Sequence, residues 1–337
     1  MAGEFQRMGM IVVTGGAGFI GSNLLAALER RGGADLVCVD RLGDGDKWRN
    51  IAKRELADIV LPERLFEFLD AHRTKVEAVF HLGAISSTTE SKVDLIVEQN
   101  FRTSLALWNW CAKNSTRFIY ASSAATYGDG SAGFADDDSL GGLAKLRPLN
   151  PYGWSKHVFD RRVARLLADK SARPAQHVGL KFFNVYGPNE YHKGGQRSVV
   201  HHLYPRAVAG EPARLFKSHN PAYPDGGQMR DFVWVGDCIS VMIWLLDHGQ
   251  VNGLFNLGTG KARSFADLAR ALYTAIDRDT NLEYIDTPEA IRDKYQYFTE
   301  ARMERLRAAG YALPMTSLED GIQTYVRDHL ATADPYV

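Results

Sequence analysis

Two hydrophobic patterns alternate along the first half of the chain. Continuous apolar runs, typical of strands covered on both faces of a parallel sheet, occur at "GMIVVTG", "DLVCVD", "VEAVFHLGA", "RFIYASS" and "VGLKFFNVYG". Between them, apolar residues recur at helical spacing, which predicts helices from Ser22, over about residues 93–113 and over about 152–170. Strands that alternate with helices predict an α/β fold with a doubly wound parallel sheet.

Composition makes a soluble enzyme the default class. The 337 residues, 45% of them hydrophobic, can fill a large core, and 40 Lys and Arg balance 40 Asp and Glu. This balance gives no field that would attract nucleic acid or an acidic membrane. No apolar run approaches the roughly 18 residues of a membrane span, and no basic-then-apolar signal begins the chain. Three widely spaced cysteines lack metal-ligand spacing, so we expect no metal site and a reducing compartment.

The stretch "VVTGGAGFIGSN" joins the first predicted strand to the first predicted helix. Its glycines Gly15, Gly18 and Gly21 are three residues apart. A tight turn, a close approach to a pyrophosphate and close packing of helix on strand each exclude a β-carbon. The helix, which begins near Phe19, also offers unpaired N–H groups to phosphate. The motif therefore predicts a dinucleotide-binding, Rossmann-like fold.

The residues that follow the second predicted strand bear on the choice of cofactor. Asp40 stands where a carboxylate favours the free ribose hydroxyl of NAD. Arg41 and Lys47 follow in the same loop, and such cations favour the additional phosphate of NADP. The two signals oppose each other, and we predict NADP.

The regular alternation fades after about residue 188 into loops rich in Gly, Pro and His, where substrate recognition is expected. We predict an NADP-binding Rossmann domain over residues 10–183, to which segments near 231–258 return. A smaller C-terminal substrate-binding domain is predicted over residues 184–230 and 259–330. Residues 1–9 look like an added or mis-started leader and are left outside the predicted fold.

Three side chains are candidates for a catalytic group. Tyr152 and Lys156 in "YGWSK" are four residues apart, which places them on one face of a helix. A nearby ammonium favours the phenolate, so we expect a lowered pKa for Tyr152 and proton exchange near neutrality. Ser123 ends the strand "RFIYASS" at the edge where doubly wound sheets bind ligands, and could hold a substrate hydroxyl beside Tyr152.

The glycine motif, Ser123, Tyr152 and Lys156 together resemble the extended short-chain dehydrogenase/reductase family of nucleotide-sugar epimerases. From Met10 onward the chain is similar to the ADP-L-glycero-D-manno-heptose 6-epimerase branch of that family. The matching stretches are "TGGAGFIGSN", "HLGAISSTTE", "YASSAATYG", "KFFNVYGPNEYHKG", "RDFVWVGD", "FNLGTG" and "YQYFT".

The resemblance implies a bacterial cytoplasmic enzyme that inverts C6 of an ADP-heptose for the lipopolysaccharide inner core. It implies tightly held NADP, which is reduced and reoxidised within each turnover, and a homo-oligomer, often a pentamer. Neither nucleic acid nor a membrane is an expected partner.

The resemblance also assigns roles to individual residues. Tyr152 and Lys193 would transfer the two protons, and Lys156 would support Tyr152 and the nicotinamide ribose. The residues expected at the cofactor are Gly15, Gly18, Phe19, Ile20, Gly21, Asp40, Arg41, Lys47, Leu82, Gly83, Ala84, Ile85, Ser86, Gln99, Asn100, Tyr152, Lys156 and Val185. The residues expected at the substrate are Ser123, Asn184, Lys193, Gly195, His202, Phe216, Lys217, Ser218, His219, Arg230 and Tyr295.

The chain departs from the family pattern in a few places, and three other functions share part of that pattern. An acid is usual at Leu82, asparagine at Gln99 and serine at Gly195, and the loop before Arg230 looks longer than in the family. A dehydratase would need an Asp-Glu pair after the serine, where this chain has two alanines. An epimerase acting on C4 of a hexose stays open, although it would not need the second base in "HKG". An NADP-sensing module would not need the serine, tyrosine and lysine together.

Overall fold

The computed structural model describes residues 9–292 and 296–337. Its strands are β1 (Met10–Thr14), β2 (Asp35–Val39), β3 (Asp58–Val60), β4 (Val76–His81), β5 (Arg117–Ser123), β6 (His177–Phe182), β7 (Asn184–Tyr186), β8 (Ala213–Phe216), β9 (Met229–Arg230), β10 (Phe232–Trp234), β11 (Gly253–Leu257), β12 (Arg263–Ser264) and β13 (Leu282–Ile285). Its α-helices are α1 (Phe19–Arg31), α2 (Leu65–Ala71), α3 (Val93–Ile96), α4 (Thr103–Lys113), α5 (Leu140–Ala144), α6 (Pro151–Ala168), α7 (Val199–Val208), α8 (Val235–Asp247), α9 (Phe265–Ala275), α10 (Glu289–Arg292), α11 (Glu304–Ala308) and α12 (Leu318–Tyr325).

Short helical segments of other types connect these elements. Two 3-10 segments carry predicted site residues and are named here the Lys47 turn (Asp46–Ile51) and the Lys193 turn (Tyr191–Gln196). The remaining ones are the 3-10 segments Pro62–Arg64 and Ala124–Tyr127 and the π-helical segments Val97–Arg102 and Val326–Leu330.

Seven strands form one parallel sheet in the order β11-β6-β5-β4-β1-β2-β3. The chain builds outward from β1 in one direction through β2 and β3, and in the other through β4, β5, β6 and β11. This arrangement confirms the predicted Rossmann-like, doubly wound fold. Thr14 at the end of β1 pairs with His81 at the end of β4, so the order of strands reverses between these two. Ligands of open α/β sheets bind at this kind of switch point.

Helices cover both faces of the sheet, which explains the continuous apolar strands. On one face, Leu24 of α1 and Met242 of α8 belong to one buried cluster with strand residues. On the other face, Trp108 of α4 and Phe159 of α6 belong to a second cluster. With both faces buried, strand residues of either orientation leave water, and the alternation of polar and apolar positions disappears.

The later part of the chain adds a third apolar cluster beside the sheet. It packs α7, α9 and α12 against β8, which pairs in parallel with β13. Two more short pairs, β7 with β10 in parallel and β9 with β12 in antiparallel, connect this region to the end of β6. The predicted domain boundaries stay a prediction, although β11, which completes the large sheet, falls within the segment expected to return to it.

Several sequence-based expectations need correction. Regular structure does not fade after residue 188, because α7, α8, α9 and α12 all follow it. The helix expected over residues 93–113 is interrupted by the π-helical segment Val97–Arg102. The run "VGLKFFNVYG" divides into two strands of different sheets. The leader expected at residues 1–9 lies outside the described residues except for Gly9.

Candidate active site

The glycine turn between β1 and α1 is built by close backbone contacts. Gly15 has φ +68°, and a β-carbon on it would lie 2.6 Å from the backbone nitrogen of Gly83. A β-carbon on Gly21 would lie 2.1 Å from the carbonyl oxygen of Gly15. Both positions therefore exclude a side chain. Gly18 caps α1 without a side-chain hydrogen bond, so the first turn of the helix keeps N–H groups for a ligand.

Asp40 connects the glycine turn to the Lys47 turn. One carboxylate oxygen of Asp40 accepts a hydrogen bond from the Ala17 N–H at 3.0 Å. The other accepts from the backbone N–H of Arg41 at 2.8 Å and from Lys47 Nζ at 2.6 Å. The ammonium of Lys47 is thereby held near the glycine turn. The guanidinium of Arg41 lies farther out and pairs with Glu63.

The segment after β4, which begins at Leu82, lies next to the glycine turn. Asn100 accepts a hydrogen bond from the Ile85 N–H at 2.8 Å and donates to the Ile85 carbonyl at 3.0 Å. It also donates to the hydroxyl of Ser155 on α6 at 3.0 Å. Asn100 is itself buried and holds the Ile85 backbone in place, and its predicted contact with a cofactor stays a prediction.

A cleft of about 1060 Å³ opens along these elements. It brings together seventeen of the predicted residues: Gly15, Gly18, Phe19, Ile20, Gly21, Asp40, Lys47, Leu82, Gly83, Ala84, Ser86, Ser123, Tyr152, Lys156, Val185, Lys193 and Gly195. A neighbouring cavity of about 450 Å³ adds Arg41, Ile85 and Gln99, beside the apolar Pro62 and Leu65. Size and lining suit an extended ligand with phosphates in the middle and a flat base at one end.

Tyr152, Lys156 and Ser123 meet where β5 ends and α6 begins. Ser123 is the last residue of β5, and α6 starts with Pro151 after Asn150, whose side chain accepts a hydrogen bond from the Gly153 N–H at 2.8 Å. This cap fixes the first turn of α6, which carries Tyr152. Tyr152 and Ser123 both line the same cleft, and Ser123 is near enough to influence the ionisation of Tyr152.

The ionisation of these groups differs from the expectation. Burial raises the pKa of Tyr152 above its ordinary value of 10.0, and the nearby Ser123 hydroxyl only partly opposes this. The lowered pKa predicted from the neighbouring ammonium is therefore wrong for this environment. Burial also lowers the pKa of Lys156 to about 8, although Asp160, one helical turn later, opposes the shift. Lys156 is thus a buried cation that gives up its proton more readily than an ordinary lysine.

Lys193 enters the same cleft from a different element. Its ammonium lies 5.3 Å from the centre of the Phe19 ring, a cation–π contact. Burial lowers the pKa of Lys193, and the carboxylate of Glu190 opposes the shift. Glu190 accepts hydrogen bonds from the Ser198 hydroxyl at 2.6 Å and from the Tyr325 hydroxyl at 3.0 Å, so it is held in place.

The other predicted substrate residues do not line this cleft within the described part of the chain. They lie on the elements after β6, and their role stays a prediction: Asn184 on β7, His202 on α7, Phe216 at the end of β8, Lys217, Ser218 and His219 after it, and Arg230 on β9. Tyr295 lies outside the described residues.

Sequence reasoning missed several residues of the cleft. The hydroxyl run Ser87 to Thr89, His192 and Gln196 all line it. Their signal was present, because "SSTTE" and "HKGGQ" adjoin residues that were singled out. Within residues 9–292 and 296–337, no group of His, Cys, Asp or Glu could hold a metal ion, and no helix is long and apolar enough to cross a membrane.

Comparisons with known proteins agree with this geometry. Residues 11–258 match the NAD dependent epimerase/dehydratase family. The ADP-L-glycero-D-manno-heptose-6-epimerase of Nitratidesulfovibrio vulgaris (strain DP4) is 50% identical over 331 residues, covering 97% of this chain and all of that protein. The enzyme of the same name from Fusobacterium nucleatum subsp. nucleatum is 45% identical over 336 residues, covering 97% of this chain and 100% of that protein.

Solved structures show the same fold. The Helicobacter pylori ADP-L-glycero-D-manno-heptose-6-epimerase has a TM-score of 0.79 at 27% identity, and the match covers 96% of each chain. The Thermus thermophilus UDP-glucose 4-epimerase, solved as a complex with NAD, has a TM-score of 0.73 at 25% identity over 96% of this chain and 99% of that one. The chain therefore belongs to the NAD dependent epimerase/dehydratase family, in its group of ADP-L-glycero-D-manno-heptose-6-epimerases.

Proposed function

We propose that the protein converts ADP-D-glycero-D-manno-heptose to ADP-L-glycero-D-manno-heptose by inverting C6 through a transient ketone. One observation carries the proposal: two proton-carrying side chains, Tyr152 on α6 and Lys193 on the Lys193 turn, reach one cleft from separate elements. Inversion needs hydrogen to leave one face of the carbon and return to the other. If the nucleotide stays anchored, one fixed base reaches the alcohol in only one of the two orientations.

The cleft fits a nicotinamide dinucleotide, and we propose NADP. Gly18 and the first turn of α1 would hold the pyrophosphate, and Lys47 would pair with the phosphate on the adenosine ribose. Asp40 already accepts three of the roughly four hydrogen bonds that a carboxylate can accept, which leaves it at most one site for a ribose hydroxyl. When bound, the cofactor supplies hydride exchange with C6.

The chain's own residues then handle the protons. Ser123 and Tyr152 would hold the C6 oxygen of one epimer, and Tyr152 would take its proton as the ketone forms. The charge of Lys156 would stabilise the phenolate form of Tyr152 that accepts this proton. When the ketone presents its other face, Lys193 would return a proton to the same oxygen. The lowered pKa of Lys193 suits that exchange.

Broader features follow from the same assignment. We propose that the enzyme serves lipopolysaccharide inner-core heptose synthesis in the cytoplasm, and that it works as a homo-oligomer, a pentamer in the first instance. The subunit count can be measured by light scattering after size-exclusion chromatography, where a monomer peak at working concentration would exclude the assembly.

The function is tested by incubating the purified protein with each C6 epimer of the ADP-heptose and following the ratio by NMR. The proposal predicts that both starting materials reach one common ratio. If neither epimer changes while a UDP-hexose is epimerised at C4, the proposal is wrong and the C4 reaction replaces it.

A further inference from the structure

One buried amide joins the two halves of the candidate site. Asn50, the next-to-last residue of the Lys47 turn, is 1% exposed. Its Nδ2 lies 2.9 Å from the carbonyl oxygen of Ala17, in the glycine turn. The same atom lies 3.0 Å from the carbonyl oxygen of Asn189 and 3.1 Å from Nδ1 of His192, on either side of the start of the Lys193 turn.

The orientation of this amide is set by its neighbours. Two backbone carbonyls can only accept, so a flipped Asn50 would place its oxygen against two other oxygens. The amide nitrogen carries two hydrogens, which match the two carbonyl oxygens, and Nδ1 of His192 lies within reach of the same group. Asn50 therefore donates at once to the glycine turn, at Ala17, and to the segment that leads into the Lys193 turn, at Asn189.

Two neighbouring asparagines add hydrogen bonds between α1 and the segment before the Lys193 turn. Asn189 donates to the hydroxyl of Ser22 on α1 at 2.9 Å, and Asn23 on α1 donates to the carbonyl of Pro188 at 3.0 Å. The segment before the Lys193 turn is thus attached to α1 at two more points. The three asparagines and Ser22 are buried, so water does not compete for the hydrogen bonds.

We propose that Asn50 is a positioning residue for Lys193. Ala17 lies two residues before Phe19, and the Lys193 ammonium rests over the Phe19 ring. By holding Ala17 and the start of the Lys193 turn together, the Asn50 amide sets where the lysine stands in the cleft. The inference rests on the proposed role of Lys193 in proton transfer.

The test compares Asn50→Leu, Lys193→Met and the double variant. Inversion and the oxidation of each C6 epimer are measured at saturating NADP, so that weaker cofactor binding does not enter the rates. Asn50→Leu removes the donor at similar size, and we expect inversion to slow by about 10- to 100-fold from misplacement of the base. The slower epimer should be the one that Lys193→Met also slows.

Two controls accompany these variants. Asn114→Leu makes the same substitution away from the cleft, removes one local hydrogen bond from Asn114 to the Trp110 carbonyl at 2.8 Å, and should leave the rates unchanged. If Asn50→Leu does not fold, Asn50→Ser keeps one donor that can reach at most one of the two carbonyls, and it should show the same bias toward one epimer.

The outcomes separate the inference from the proposed function. A double variant no slower than Lys193→Met alone supports action through Lys193. Additive losses, or an Asn50 variant that slows both epimers equally while Lys193→Met slows one, overturn the positioning role alone. A Lys193→Met variant that inverts at the normal rate overturns the proposed role of Lys193, and this inference with it.

Discussion

Lys47 offers a direct test of cofactor choice. Its ammonium is bound to Asp40 at 2.6 Å and to the Arg41 carbonyl at 3.0 Å, and its side chain is 23% exposed. Lys47→Met keeps the length of the side chain and removes the charge. A hydrogen bond to a charged group contributes about 1.5–3 kcal/mol, so NADP should bind about 10- to 150-fold more weakly.

NAD should respond differently, because it lacks the phosphate that Lys47 would pair with. Removing the cation leaves that Asp40 oxygen with only the Arg41 N–H, so it has room to accept a ribose hydroxyl. NAD binding should therefore stay equal or improve. Calorimetric titration of cofactor-free protein with each dinucleotide measures both affinities.

A matched variant controls for general loss of charge. Arg49→Met removes a cation of the same turn that pairs with Asp46 at 3.3 Å, and it should change neither affinity. Arg41→Met should have a smaller effect than Lys47→Met, because the Arg41 guanidinium is half exposed and turned to Glu63, whereas the less exposed Lys47 ammonium is held on Asp40. If Lys47→Met lowered the affinities for NADP and NAD equally, the lysine would not bind the additional phosphate of NADP.

Three further predictions concern catalysis and stability. Tyr152→Phe and Lys193→Met should each slow inversion by roughly 100- to 10,000-fold, with opposite preferences for the two epimers in single-turnover oxidation; a shared preference would contradict two bases. Burial lowers the pKa of His81 to about 3, so its unfolded form takes a proton below pH 6.5 that the folded form refuses. The free energy of unfolding should therefore fall by about 2 kcal/mol between neutral pH and pH 5 because of His81. Urea unfolding of His81→Gln at the two pH values should lack this loss. Gly15→Ala should destabilise the protein by more than the roughly 1–2 kcal/mol of backbone strain alone, and by more than Gly33→Ala, which has φ +86° but open space around it; equal losses would mean that the close approach is unimportant.

Hydrophobic runs and residue spacing in the sequence predicted the strands of the large sheet and the pairing of Tyr152 with Lys156. The run "RFIYASS" coincides with β5, and the tyrosine-lysine spacing places both side chains in the cleft. Helix α8 was missed because "ISVMIWLL" is a short run with seven apolar residues of eight, and such a run can be a buried strand as well as a buried helix. Helix α9 carried a usable signal, since Ser264 and Asp267 form a capping box.

Contacts between distant residues were beyond the sequence patterns. Nothing in the order of residues links Asn50 to Ala17 or to the start of the Lys193 turn, because that proximity arises only when the sheet is assembled. The raised pKa of Tyr152 is of the same kind, since burial outweighs the neighbouring ammonium and burial is a tertiary property. Spacing identifies which groups can react, while the fold sets how readily they ionise.

The central claim is inversion by removal and return of hydrogen at C6, and isotope exchange tests it most directly. A hydride that stays within the closed site does not exchange with solvent, whereas a proton taken by a base does. ADP-heptose inverted in heavy water should therefore carry essentially no deuterium at C6, as read by NMR and mass spectrometry of the product. Stoichiometric deuterium at that carbon would show that it had been deprotonated, and would contradict the account of two bases acting on a ketone.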